Sequence, residues 1–68
     1  MTREDIKVRL AKIHDSQGDD EVAHSLEDDL RADFLNSIAV GAVPLEDIQD
    51  LAALVLTSRE LDFERWCA

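Results

Sequence analysis

Between Asp19 and Ala39 the sequence DDEVAHSLEDDLRADFLNSIA carries Val22, Leu26, Leu30, Phe34 and Ile38 at intervals of four residues. The row is read on a helix, where side chains three and four residues apart share a face. At 3.6 residues per turn it forms a broad, slowly drifting apolar face, so the stretch predicts a helix over 20–40. Asp19 and Asp20 are natural N-caps, and with Glu21 they put negative charge where the helix dipole favours it. Gly41 is the expected stop. Leu35 and Ala39 fall off the face and hint at a second contact surface.

The flanking segments have to cover that row, and both read as helices. Thr2-Arg3-Glu4-Asp5 is a capping-box-like start. Ile6, Leu10 and Ile13 then follow at helical spacing, predicting a helix over 3–16 with Val8 on the opposite side. Gly18 suits a left-handed C-terminal position. The run IKVRL alternates as a strand would, but there is no second convincing strand to pair with. Pro44 opens a third helix over 44–57, with Leu45, Ile48, Leu51, Ala52, Val55 and Leu56 as its buried face and Leu54 pointing away. The tail over 58–68 holds Phe63 and Trp66 and is expected to be ordered, with Asp62 as a candidate cap. The expected fold is therefore all-α, a single three-helix domain over 1–68 with a packed C-terminal tail.

Sixty-eight residues give a thin core. A disulfide within the chain is impossible with Cys67 alone, and His14, His24 and Cys67 fall short of the four ligands of a structural zinc site. Self-association remains, along with unusually good helix packing, and a homodimer is the favoured expectation. The net charge of −9 argues against nucleic-acid binding and against anionic membrane surfaces. Residues 1–14 nevertheless hold Arg3, Lys7, Arg9 and Lys12, which implies that a basic first helix docks on an acidic body. With no apolar run of membrane-spanning length and no signal-peptide core, the expected location is cytoplasmic.

His24, Glu27, Asp28 and Arg31 form one polar stripe beside the apolar face. The spacing would let His24 with Glu27 or Asp28 chelate a divalent metal, yet one helix supplies only two or three ligands. The reading preferred is a structural or interface cluster, with Glu27 paired to Arg31 and His24 to Asp28 at the rim of a helix contact. Asp29 and Asp33, on the other edge, are placed to meet Arg9 and Lys12. The segment Asp15 to Glu21 has its glycine in the wrong position for a calcium loop and no glutamate at the twelfth place. No phosphate loop, nucleophile elbow or zinc-protease motif is present, and Cys67 has only Arg65 as a basic neighbour. No catalytic residue, metal or other cofactor is expected.

The stretch DEVAHSLED at 20–28 and the ending LDFERWCA at 61–68 resemble a group of small uncharacterised proteins of bacteriophages, notably those of actinobacteria, and of bacterial genomes. They share an AH-xx-ED stretch and a DF-x-RW-x-A terminus. The resemblance covers about residues 19–68. It implies a phage protein acting in the host cytoplasm, and it singles out His24, Glu27, Asp28, Phe63, Arg65 and Trp66. In a purely structural role, Arg65 would bond an acid of the second helix while Trp66 packs on the core. The expected function is a non-enzymatic interaction protein that binds a host protein. The alternatives are an acidic DNA mimic that occupies a nucleic-acid-binding protein, and a metal-dependent enzyme or metal-binding protein using His24, Glu27 and Asp28.

Overall fold

The computed structural model describes residues 1–65. Three α-helices, α1 (Arg3–Asp15), α2 (Asp20–Ala39) and α3 (Ile48–Leu56), pack against one another, and no strand occurs among the described residues. The chain is an all-α three-helix domain.

Local chemistry fixes the helix ends. Thr2 caps α1 through a reciprocal box. Its hydroxyl accepts from the Asp5 N–H at 3.2 Å, and the Asp5 carboxylate accepts from the Thr2 N–H at 2.8 Å. The same bonds, backbone first, and the nearby N-terminal charge hold the Asp5 carboxyl below its ordinary range. Asp19, not Asp20, caps α2 by accepting from the Val22 N–H. At the other end of α2, the Ala42 N–H reaches the Ser37 carbonyl and the Gly41 N–H reaches Ile38. That pair of bonds is the Schellman arrangement, and Gly41 supplies its left-handed residue at φ +75°.

The α1–α2 turn is built differently from expectation. Gly18 is not left-handed. Short i→i−3 bonds at Ser16, Gln17 and Asp19 tighten the turn instead, and these need no positive φ. Pro44 is extended and precedes a 3₁₀ turn (Leu45–Asp47), so α3 starts later than the proline suggested.

The core consists of Ile6 and Ile13 from α1, Ala23, Leu30 and Phe34 from α2, Leu51 and Val55 from α3, and Val43 and Phe63 from the connections. Each large aliphatic or aromatic side chain so buried is worth about 1.5–3 kcal/mol before entropy is counted. The buried seam of α2 is Ala23, Glu27, Leu30 and Phe34, spaced four, three and four residues apart. Strict four-residue steps drift around the cylinder by roughly 40° each, so the two ends of the expected row cannot both face inward. Val22 is accordingly 44% exposed, while Leu26 and Ile38 pack at the core's margin. On α3 the expected face is likewise corrected. Leu45 is 84% exposed because the 3₁₀ turn rotates it out of register. Leu56 is exposed too, and Leu54 packs against the core instead of pointing away.

After α3 a second 3₁₀ turn (Thr57–Glu60) buries Ser58, Leu61 is extended, and the chain bends at Leu61 and Phe63. Asp62 caps no further turn. Its N–H donates to the Gln17 side chain at 2.8 Å. Trp66 and Cys67 lie outside the described residues.

Candidate functional site

The polar cluster of α2 divides into two parts with different surroundings. His24 Nε2 lies 3.3 Å from Asp28 Oδ2, a local i,i+4 pair with Asp28 largely in water. Glu27, one turn along, is not at a rim. It is 1% exposed and occupies the centre of the buried seam.

Two arginines meet it. Arg65 comes from the tail and forks onto the carboxylate, Nε to Oε1 at 2.8 Å and Nη2 to Oε2 at 3.2 Å. Arg31, one turn along α2, brings Nη2 to 3.5 Å from Oε2 and also donates to the Ser58 hydroxyl at 3.4 Å. Burial alone would push the Glu27 carboxyl up. The Arg65 and Ser58 hydrogen bonds and the charges of Arg31 and Arg65 outweigh it, and the net shift is downward. The residue is therefore held as a carboxylate, with its charge answered inside the fold.

Arg65 is more heavily committed still. Beyond Glu27, its guanidinium donates to the carbonyls of Ser58 (2.8 Å), Leu61 (3.1 Å) and Phe63 (3.0 Å). Its Cζ stands 3.7 Å from the centroid of the Phe63 ring, in cation–π range. Glu64 adds a backbone N–H bond to Asp20 at 3.2 Å. One arginine thus ties the 3₁₀ turn, the tail after it and α2 together, with Phe63 buried beside it.

Such an arrangement positions a segment. The Glu27 oxygens face guanidinium groups, which leaves His24 and Asp28 as a two-residue pair. Among the described residues no three His, Cys, Asp or Glu side chains converge as a metal site would require. One buried polar atom, Nε of Arg31, has no hydrogen-bond partner among the described residues.

At the far edge of α2, Arg9 Nη2 bonds Asp33 Oδ2 at 2.9 Å, so the basic first helix does dock on an acid of the second. Lys12 and Asp29, expected to join this contact, form no ion pair there among the described residues. Beside this pair an open groove of about 330 Å³ runs between the start of α1 and the end of α2, lined by Met1, Asp5, Val8, Arg9 and Ser37. No helix among the described residues is long and apolar enough to cross a membrane.

Sequence reasoning weighed Glu27 as a surface residue because it is charged. The signal it passed over was spacing: Glu27 is the only acid standing on the four-three-four seam with Ala23, Leu30 and Phe34. Comparison of the chain with known protein families, with curated proteins and with solved structures finds no match to any of them.

Proposed function

We propose that this chain is a non-enzymatic interaction protein, phage-encoded and acting in the host cytoplasm, that docks on a host protein and self-associates as a homodimer. The observation that carries the reading is exposed apolar surface where α2 gives way to α3. Three large apolar side chains are exposed within eleven residues: Leu35 (65%), Val40 (69%) and Leu45 (84%). Single exposed leucines are ordinary, and three so close in sequence offer apolar area to a contact surface. Acids flank it at Glu46 and Asp47 and would form its polar rim.

The test pairs two measurements on Val40→Asp/Leu45→Asp, a variant that leaves the core alone. Wild-type protein is expected to gain mass with concentration in sedimentation and to retain a discrete protein from host lysate. The variant should do neither while keeping its helical circular dichroism. Equal behaviour of the two proteins would sink the reading.

A second reading, the DNA mimic, draws support from a separate observation. Arg9, Arg31 and Arg65 are turned onto Asp33 and Glu27, so three of the seven basic side chains are already answered within the fold. Mimicry predicts that binding to a basic nucleic-acid-binding protein weakens steeply with salt. A salt-independent affinity excludes it.

A further inference from the structure

The tail is held to the rest of the fold by main-chain donors and buried side chains. Leu61 is extended at ψ 143°, and the chain bends at Leu61 and again at Phe63. The backbone N–H groups of Asp62 and Glu64 donate to Gln17 Oε1 and Asp20 Oδ1. Phe63 between them is buried in the core, and Arg65 reaches Glu27. Main-chain hydrogen bonds that give affinity, with side-chain pockets that give specificity, are the means by which folded domains hold short segments. The acceptors at Gln17, Asp20 and Glu27 all belong to the α1–α2 hairpin and lie 38 to 45 residues away in sequence.

We propose that this flank of the hairpin, formed by Gln17, Asp20 and Glu27, is a docking slot for an aromatic-x-arginine segment. The protein's own Phe63-Glu64-Arg65 is the resident occupant, and a partner's segment of the same pattern enters by displacing it. The selectivity follows from the chemistry. A buried carboxylate left alone is costly, so the slot demands a cation, and a guanidinium fork meets both oxygens where an ammonium meets one. Displacement takes Phe63 out of the core and opens the two backbone bonds, a sub-global opening confined to the segment after α3. A tethered tail competes at an effective concentration on the order of millimolar, so the slot answers weakly to free peptide until the resident arginine is removed. The slot lies at the opposite end of α2 from the exposed Val40 and Leu45. Failure of one surface therefore leaves the other standing.

The test uses a fluorescein-labelled peptide of sequence LDFER and anisotropy with the full chain. Arg65→Ala should bind it at least tenfold more tightly than wild type, and adding Glu27→Gln should remove at least tenfold of that affinity. Unlabelled peptide with alanine in place of its arginine should compete at least tenfold less well than the parent. Equal binding by wild type and Arg65→Ala overturns the proposal, as does equal competition by the arginine-less peptide. If Arg65→Ala loses its helical circular dichroism, Arg65→Lys, which keeps the cation but not the fork, is read by the same criteria.

Discussion

Replacing Arg65 by alanine should destabilise the protein by about 3 kcal/mol, and the figure can be reached from two directions. If the tail stays docked, Glu27 keeps a buried charge with only Arg31 at 3.5 Å to answer it. Removing one member of a buried pair in this way typically costs about 3–5 kcal/mol. If the tail lifts off, water reaches the carboxylate, but the burial of Phe63 is lost, about 1.5–3 kcal/mol, together with the backbone bonds from Asp62 and Glu64 at about 1 kcal/mol each. The first route spans about 3–5 kcal/mol and the second about 3.5–5, so the cheaper of the two sets a cost of about 3 kcal/mol or more. For a domain of this size that corresponds to a fall in Tm of roughly 12–24 °C. The converse change separates pairing from packing. Glu27→Met with Arg65→Met removes both charges and refills the space, and buried pairs replaced in this way are often nearly neutral. Urea unfolding followed by circular dichroism at pH 7 measures all three proteins together with Glu27→Met alone. A double variant less damaged than the sum of the singles by about 2 kcal/mol or more would establish the coupling. A cost below about 1 kcal/mol for Arg65→Ala, the range of an exposed ion pair, would refute the reasoning.

Three further outcomes follow from the same geometry. The Glu27 carboxyl titrates below its ordinary value of 4.5 in the folded protein, so the unfolded chain binds the proton first as pH falls. Its stabilisation is complete above that value and disappears as pH drops through the folded one, and urea midpoints from pH 7 to 3 should show a shallower acid limb in Glu27→Met/Arg65→Met. Gly41→Ala should cost about 1 kcal/mol because it forces an L side chain to φ +75°, whereas Gly18→Ala, with open space and no positive φ, should be neutral or stabilise by about 0.4–1 kcal/mol; thermal melts that rank the two the other way would contradict the turn geometries. Leu30→Ala should cost about 2–5 kcal/mol and Val22→Ala under about 0.5 kcal/mol, a contrast that chemical denaturation can check and that the four-residue row alone would not produce.

The helices were legible in the sequence because their signals are local. Thr2 and Asp5, Asp19, and Gly41 act on backbone groups within a few residues, and period-3.6 patterning needs only the segment itself. The rotation of each helix about its axis was less legible. Val22 and Leu45 read as inward-facing and face water: a four-residue row admits two seams and only the packed neighbours choose between them, and the 3₁₀ turn takes Leu45 out of the register of α3. Glu27 was the largest departure. Its burial depends on Arg65, 38 residues away, and no local rule places a carboxylate in a core before its distant partner is known. Placing the tail's arginine on an acid of the second helix came from the resemblance of the C-terminal stretch to phage proteins and not from any spacing.

A small domain has little reason to bury an ion pair for stability, since apolar side chains of similar volume would serve as well. What the pair offers is register. The tail presents Leu61 and Phe63 at alternate positions, and a purely apolar slot would accept either side chain with similar gain. Glu27 removes that degeneracy. Only the register that delivers Arg65 answers the carboxylate, and that register also sets Phe63 in the core and aligns Asp62 and Glu64 with Gln17 and Asp20. Glu27→Met/Arg65→Met should therefore keep near-wild-type stability yet lose the unique placement of its tail. In a two-dimensional amide NMR spectrum, the signals of Leu61 to Glu64 should broaden or double while those of α1 and α2 hold their positions. A single sharp set for the tail in that variant would show that packing alone sets its register, and the buried charge would then have no specifying role.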